Sequence, residues 1–341
     1  MLTTLQSRAR VLLAAACLLA TACNRDDGAA KSEPVPNPSP PATDAGSSSA
    51  AADPSSPAAQ SPAGQDERAR LLAWLDPEAV SVAWIRAPQP LRGDALAVVY
   101  GLPARAEDLL QAVGDIDRAL EAVRPAEAPQ TSTWLGSTAL ASTGRFARRP
   151  TVVRPLLQPR AQVEAALDAL PLRRQQVDAF DVWEPERVFP YRIVMLGDDA
   201  LAFIPASEPG SGLRPLAAAR DMPPSDVQDQ LDGLLGEPGA PVIALFASGP
   251  LLHFDLDQDV MAVRFELYRA SDGGLDGRVA LQVDGDPATA VKALEDREAP
   301  EQSDRIRELV KRSAYLVDGE VVQGRLELPA TDAAVLLAER R

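Results

Sequence analysis

Short apolar stretches and amphipathic stretches alternate along the chain from about residue 67 to the C-terminus. Apolar and polar positions that alternate, or short apolar runs between Gly and Pro residues, predict β-strands. Strands are predicted at residues 79–86, 94–100, 132–141, 151–157, 176–183, 190–196, 200–205, 241–248, 260–269, 277–283, 313–317 and 320–328. Apolar positions three and four residues apart predict helices. These helices are predicted at residues 66–75, 104–123, 159–170, 213–220, 225–235, 286–312 with a break near Pro300, and from Thr331 or Asp332 to the end.

Tight turns join several of these strands. Residues 197–199, Gly-Asp-Asp, separate two strands, and the dipeptide Asp318-Gly319 is a strong signal for a type I′ hairpin turn. Hairpins outnumber the longer crossovers that parallel strands need, so the sequence predicts an α+β fold with a mostly antiparallel sheet and packing helices. Residues 151–220 and 277–341 share the order strand, helix, hairpin, helix, which indicates a body with two similar subunits.

The first two dozen residues are typical of an export signal. Arg8 and Arg10 are positively charged, and residues 11–22 form an unbroken apolar run. A helix of about a dozen residues is roughly 18 Å long, whereas a bilayer crossing needs about 20 residues. The run therefore predicts the hydrophobic region of a signal peptide rather than a membrane span.

The apolar run ends in small residues directly before Cys23. This segment resembles the lipobox of bacterial lipoproteins, with Ala20 where that motif most often has Leu. The resemblance implies that residues 1–22 are removed and that Cys23 is acylated. Two or three acyl chains hold a protein on a membrane far better than one chain does. An ordinary secretory peptide cut after Ala22 and an uncleaved anchor are the alternatives.

A tract rich in Ala, Pro and Ser follows Cys23, and residues 24–66 contain no aromatic side chain. Such a tract cannot bury enough apolar surface to offset the entropy lost on ordering, so it predicts a disordered tether. The sequence thus predicts a signal peptide at 1–22, a lipidated cysteine with its tether at 23–66, and a folded body at 67–341. A boundary inside the body would fall near residues 145–150 or 236–258.

The amino-acid composition argues against some classes of function. The chain has 34 Lys and Arg against 49 Asp and Glu, a formal net charge of -15, which repels phosphate backbones and argues against nucleic acid. Both cysteines, Cys17 and Cys23, lie in or next to the signal segment, so the body has no disulfide. A hydrophobic fraction of 46% is enough for a packed core.

Candidate chemistry is sparse. His253 is the only histidine, and no Gly-x-Ser-x-Gly elbow accompanies it, so a loop histidine is the simpler interpretation. No glycine-rich nucleotide motif occurs, and no cofactor is predicted. The dipeptide Asp286-Pro287 predicts a helix start capped by Asp286. The four tryptophans lie inside predicted elements, which indicates core packing rather than sugar stacking.

Four carboxylates reproduce the spacing of an EF-hand-type calcium loop, although Val260 stands where the sharp turn needs Gly. These weak metal candidates are Asp255, Asp257, Asp259 and Glu266. The alternative is an acidic approach to a strand, with Glu266 on the solvent-facing side of that strand.

The sequence predicts a lipoprotein tethered through Cys23 in the cell envelope, most simply at the outer membrane facing the periplasm. The inner membrane and the cell surface are the alternatives. The body also resembles uncharacterised envelope lipoproteins in stretches such as residues 315–322. The expected role is non-enzymatic binding of an envelope protein or cell-wall partner. The alternatives are a carboxylate-dependent hydrolase, which needs a cleft with two carboxyls, and a carrier with an enclosed apolar cavity.

Overall fold

The computed structural model describes residues 62–86, 92–144, 147, 149–185, 189–206, 213–219, 225–251, 259–298 and 303–336. The described residues all belong to one compact unit of the chain, Gln60–Arg341. The signal peptide, Cys23 and most of the predicted tether lie outside the described residues, so those predictions stay predictions.

Twelve strands of the described residues form one antiparallel sheet. Their order across the sheet is β11-β12-β10-β9-β8-β1-β2-β3-β7-β6-β5-β4. The strands are β1 (Ala79–Arg86), β2 (Thr138–Gly144), β3 (Thr151–Pro155), β4 (Leu172–Val177), β5 (Phe180–Pro185), β6 (Tyr191–Leu196), β7 (Ala200–Pro205), β8 (Ile243–Leu251), β9 (Val260–Arg269), β10 (Leu275–Val283), β11 (Ala314–Asp318) and β12 (Val321–Leu328). With the helices that pack on this sheet, the predicted α+β fold with mostly antiparallel strands is confirmed.

The helices of the described residues connect and cover these strands. They are α1 (Pro62–Leu72), α2 (Gly93–Tyr100), α3 (Ala104–Val123), α4 (Arg160–Asp168), α5 (Leu213–Ala219), α6 (Asp226–Gly236), α7 (Pro287–Glu295), α8 (Asp304–Arg312) and α9 (Ala330–Ala333). Short 3-10 turns lie at Thr131–Thr133 and Ala334–Leu336. None of the helices in the described part of the chain is long and apolar enough to cross a membrane.

Side chains alternate between the two faces of the sheet, and each face has its own core. The first face packs against α2, α3, α4, α7, α8 and α9, and it includes Trp134 and Trp183. The second face packs against α1, α5 and α6, and it includes Trp74 and Trp84. All four tryptophans are buried, which confirms the prediction that they pack in the core.

The two halves of the sheet share a topology. β1 and β8 pair at the centre, and each begins a three-stranded meander, β1-β2-β3 or β8-β9-β10. After β3 the chain forms α4 and the strands β4 to β6, and then β7 pairs with β3. After β10 it forms α7, α8 and β11, and then β12 pairs with β10. This arrangement repeats the order predicted for residues 151–220 and 277–341. The strands before and after residues 145–150 are neighbours in the sheet, since β2 pairs with β3, and β8 likewise pairs with β9.

The prediction of a strand at residues 94–100 is wrong, because these residues belong to helix α2. The run is apolar at almost every position, so periodicity does not separate a strand from a buried helix. In the structure α2 is buried on nearly all sides. It ends at Gly101, whose φ of 62° is the left-handed conformation that often terminates helices.

The strand predicted at residues 176–183 is also wrong, because a turn divides it. β4 and β5 form a hairpin in which Val177 pairs with Phe180. Asp178 lies in the turn between them with φ of 53°, and aspartate tolerates this left-handed region better than most residues do. Because this turn contains no glycine, the sequence pattern predicts a single strand here.

Other local predictions are confirmed or refined. Asp286 caps α7 by accepting hydrogen bonds from the backbone N–H groups of residues 288 and 289. The hairpin at β11 and β12 forms, but Asp318 pairs with Val321, so the turn residues are Gly319 and Glu320. Only Gly319 of these two has a positive φ, at 63°, which matches a type II′ turn rather than type I′. The first helix begins at Pro62, inside the segment assigned to the tether, since proline suits a first helical turn.

Candidate functional site

The structure does not bring the predicted metal candidates together. Asp255, Asp257 and also His253 lie outside the described residues. Asp259 is exposed just before β9, and Glu266 lies within that strand. Seven residues of extended chain separate the two by roughly 20 Å, so they cannot share one ion. Within the described residues, no group of three or more His, Cys, Asp or Glu side chains could hold a metal ion.

The polar side chains of β9, β10 and β12 form a continuous surface on the second face of the sheet. We call this surface the polar sheet face. Its main residues are Arg264, Glu266, Tyr268, Asp276, Arg278 and Arg325. They share one face because strand side chains alternate and because the three strands pair in register, with Glu266 opposite Arg278 and Arg278 opposite Arg325. The described helices of the second face cover the other half of the sheet.

Asp276 anchors one end of the polar sheet face. Its carboxylate accepts hydrogen bonds from Nε and Nη2 of Arg325, at 3.0 and 3.1 Å, and from Nη2 of Arg278 at 3.1 Å. Partial burial by itself would raise the pKa of Asp276, but the bonds from the two guanidinium groups outweigh it and lower this pKa below its ordinary value. Asp276 therefore stays ionised and fixes both arginines.

Glu266 anchors the centre of the face. Its carboxylate accepts bonds from the guanidinium of Arg264 and, at 2.8 Å, from the hydroxyl of Tyr268. Only 6% of Glu266 is exposed, so the expectation of a solvent-facing side chain is wrong. The strand directs this side chain to the polar sheet face, where its bonds to Arg264 and Tyr268 and its burial show that neighbouring side chains surround it. Burial, and then the Glu266 carboxylate, raise the pKa of Tyr268, so this hydroxyl stays protonated.

Aromatic rings support two of the arginines. The guanidinium of Arg278 lies 4.8 Å from the ring centre of Tyr268, and that of Arg264 lies 5.6 Å from the ring of Phe246. An exposed cation–π contact contributes about 0.5–1 kcal/mol of interaction free energy. The polar sheet face is thus a network of mutually fixed charges and rings, with the side chains of Arg278 and Arg325 52% and 56% exposed.

The carboxylates of the polar sheet face do not fit the hydrolase alternative. A general acid at neutral pH needs a raised pKa, as glycosidase acids have. Asp276 has a lowered pKa, and Glu266 is already bonded to Arg264 and Tyr268. Both groups therefore act as anchors of arginines in this structure.

A second carboxylate pair has the pKa pattern of an acid and a base. Burial, and then the charge of Asp108, raise the pKa of Glu107 near the start of α3. Asp94 lies in the first turn of α2. Its partial burial opposes ionisation, but the bond from Arg92, the charge of Arg92 and backbone hydrogen bonds together outweigh this and lower its pKa. Glu107 also accepts a bond from Gln111 one turn later in the same helix. The evidence for this pair is therefore its two opposite pKa shifts alone, which do not establish an activity.

A pocket of the described residues lies elsewhere, between the end of α3 and Trp134. Leu120, Arg124 and Leu170 are among its lining residues. It holds about 210 Å³ of space, and this volume includes open solvent. Ligand pockets usually hold about 300–1,000 Å³. This pocket is therefore too small and too open for the enclosed cavity that the carrier alternative requires.

The sequence contained a signal for the polar sheet face. In β9, β10 and β12 the positions between the core residues are mainly Arg, Glu, Asp, Gln and Tyr. Such alternation predicts a strand with one wet face. Only the sheet order shows that β9, β10 and β12 are all neighbours, so the surface could not be predicted from the sequence.

Comparisons with known proteins give no functional assignment. No model of a known protein family matches the sequence, and no curated protein matches it. Two solved structures, crystal forms I and IV of TP0453, are structurally similar to this chain. The similarity covers 78% of this chain and 95% of each TP0453 chain. Their TM-scores are 0.41 and 0.40, with sequence identities of 9% and 10%. A likeness this distant supports no statement about activity, partner or location.

Proposed function

We propose that the chain is a lipoprotein of the bacterial cell envelope, tethered to a membrane through Cys23, and that its body binds a partner protein without catalysing a reaction. The tethering part is supported by the positive residues, the short apolar run and the small residues that precede Cys23, followed by the Ala, Pro and Ser tract. The outer membrane facing the periplasm is the location that we propose.

The binding part is supported by one observation above all, the difference between the two halves of the second sheet face. Helices α1, α5 and α6 cover this face over the half that contains β5, β6 and β7. Over β9, β10 and β12 the same face presents charged and aromatic side chains, with Arg278 and Arg325 more than half exposed. We take this half of the second face, which the described helices leave uncovered, to be the binding surface.

The residue types of the polar sheet face favour a protein partner. Arginine and tyrosine are enriched in protein interfaces and contribute much of the binding energy there. On this face, Asp276 holds Arg325 and Arg278, and Glu266 holds Arg264 and Tyr268. Side chains that are already fixed lose less conformational entropy on binding. The face is therefore organised before a partner arrives.

The partner surface is expected to carry carboxylates. The bonds to Asp276 use Nη2 of Arg278 and the Nε and Nη2 atoms of Arg325. Nη2 of Arg325 also pairs with Glu327 at 2.6 Å. Because a guanidinium has five N–H donors, the Nη1 groups of both arginines can donate to further acceptors. Carboxylates of a partner can accept these bonds. Because the two arginines are exposed, binding is expected to weaken as salt concentration rises.

Affinity capture with the tagged full chain tests the binding proposal. Arg278→Gln combined with Arg325→Gln removes two exposed positive charges. Because it also removes the guanidinium partners of Asp276, whose side chain is only 18% exposed, urea unfolding first checks that the variant is folded. The matched control combines Arg118→Gln with Arg173→Gln, two exposed arginines outside the polar sheet face. The first double variant is expected to lose the partner, and the control is expected to retain it.

Two other results would overturn parts of the proposal. Equal recovery of every bound protein by both double variants would contradict the role of the polar sheet face. Turnover of an envelope substrate by the purified chain, abolished by Glu107→Gln, would show an enzyme. For the tether, mass spectrometry of the mature N-terminus is expected to show acylated Cys23, and an unmodified Cys23 or retained residues 1–22 would refute lipidation.

A further inference from the structure

The two edge strands of the sheet differ in their protection. β4 is the edge at one end, and its central residues 173–176 are Arg, Arg, Gln and Gln. Charged and polar side chains on an edge strand discourage pairing with another chain. β11 is the edge at the other end, and its residues are Ala, Tyr, Leu, Val and Asp. This strand has no positive charge along its length.

β11 also exposes apolar side chains. Leu316 is 58% exposed and Val317 is 44% exposed, and among large hydrophobic residues of the described chain only Leu157 is comparable. β11 pairs with β12 on one side. Within the described residues, the backbone of Ala314–Asp318 makes no further backbone hydrogen bond outside this ladder. An edge with unused backbone groups and exposed apolar side chains is the structure that accepts an added strand.

The sequence around β11 favours a second copy in antiparallel orientation. Lys311 and Arg312 precede the strand, whereas Asp318 and Glu320 end or follow it. In an antiparallel pair of two identical strands, the basic start of each lies near the acidic end of the other. A parallel pair would bring like charges together at both ends, which is unfavourable.

The side chains are also compatible in one register. If the pair is centred on Leu316, the two Leu316 side chains face each other, and Tyr315 of one copy lies opposite Val317 of the other. Aromatic residues opposite β-branched residues, and apolar residues opposite each other, stabilise cross-strand pairs. Asp318 then lies opposite Ala314, so no like charges are opposed along the strand.

We infer that β11 pairs with β11 of a second copy of this chain, antiparallel and centred on Leu316, to join two sheets edge to edge. The inference rests on the edge strand alone and does not depend on the polar sheet face or on Cys23. A contact of one short strand is at the small end of protein interfaces, so the dimer is expected to be weak and reversible.

Cysteine cross-linking of the full chain tests this pairing. Directly opposed residues of an antiparallel pair have Cα atoms about 4.5–5.5 Å apart, within the range that a disulfide spans. Leu316→Cys is therefore expected to give a covalent dimer under mild oxidation. Leu157→Cys is the matched control, since Leu157 is exposed to a similar extent, 55%. The parent chain measures the background from Cys17 and Cys23, and the dimer yield of Leu316→Cys is expected to exceed both several-fold.

The register gives a second, independent readout. Two copies of Ala314→Cys are offset by four residues in the proposed pair, about 13 Å, so this variant alone is expected to stay monomeric. Mixed with Asp318→Cys, it is expected to form the mixed dimer. Leu316→Lys is expected to shift sedimentation of the chain from dimer toward monomer. Dimer yields equal to that of Leu157→Cys, or cross-links to another protein alone, would overturn the inference.

Discussion

Replacing Gly277 by alanine would test how helix α2 is seated on the sheet. Gly277 lies in β10, and Tyr100 at the end of α2 crosses directly above it. A Cβ atom built on Gly277 would lie less than 3.0 Å from Cζ, Cε1 and the hydroxyl oxygen of Tyr100. Tyr100 is 1% exposed, its ring lies 5.0 Å from that of Phe265, and its hydroxyl donates to the carbonyl of Leu326 at 3.3 Å. The ring therefore has little room to move.

The expected cost follows from these contacts. Overpacking a core by one methyl group costs about 1–3 kcal/mol. Displacing the Tyr100 hydroxyl from Leu326 adds about 0.5–1.5 kcal/mol. Alanine offsets about 0.5–1 kcal/mol of this cost, because a glycine inside a strand loses more conformational freedom on folding than alanine does. We therefore expect Gly277→Ala to lower the free energy of unfolding by about 2 kcal/mol.

Urea unfolding of the purified full chain, followed by tryptophan fluorescence, measures this cost. The change is also made together with Tyr100→Leu, which removes the ring that the methyl group meets. In that background Gly277→Ala is expected to cost little, so the two substitutions should be coupled by about 2 kcal/mol. Gly233→Ala is the matched control, because a Cβ there meets nothing within 4 Å on an exposed turn of α6. It is expected to stabilise the chain by up to about 1 kcal/mol.

Two results would refute this reasoning. If Gly277→Ala changes stability as Gly233→Ala does, then Tyr100 does not occupy the space above β10. If Gly277→Ala costs the same in both Tyr100 backgrounds, the cost does not come from this contact. Either result would mean that α2 is not seated as described.

Three further substitutions test other parts of the structure. Arg297→Met is expected to lower the free energy of unfolding by about 2–4 kcal/mol in the same urea assay, because it removes the bonds that the buried guanidinium donates to the carbonyls of residues 98, 99 and 294. An unchanged free energy of unfolding would contradict this role. Asp286→Ala is expected to cost about 1 kcal/mol through loss of the α7 cap, whereas Asp284→Ala, an exposed neighbour, should cost less. Because the pKa of Asp276 lies below its ordinary 3.8, its stabilising effect is complete well above pH 4 and falls away below it. The stability difference between the parent chain and Asp276→Asn should therefore shrink in acid, and a constant difference from pH 6 to pH 3 would contradict this.

The sequence predicted the fold class because local patterns carry that information. Alternation in β9 and the capping of α7 by Asp286 depend only on nearby residues, and the structure confirms both. The strand predicted at residues 94–100 failed because its apolar side chains are buried on all sides of a helix. The helix stop at Gly101 was present in the sequence, but it does not by itself distinguish a helix end from a turn after a strand.

The candidate site was less accessible to sequence analysis. The calcium-like spacing counts positions along the chain, whereas the extended backbone of β9 places Glu266 roughly 20 Å from Asp259. The polar sheet face depends on β12 pairing with β10, although α7, α8 and β11 separate these strands in the chain. The partners of Glu266 lie two residues away on the same strand, but the bond from Arg325 to Asp276 joins β12 to β10 and depends on the sheet order.

Site-specific photo-cross-linking in the cell envelope tests the central claim most directly. A photoreactive residue is placed at Arg278 or at Arg325 of the full chain, and at Arg118 as an exposed control, 76% exposed. If the polar sheet face binds a partner protein, both positions on the face give the same adduct and Arg118 does not. If neither face position gives an adduct that is absent at Arg118, the polar sheet face is not the binding surface.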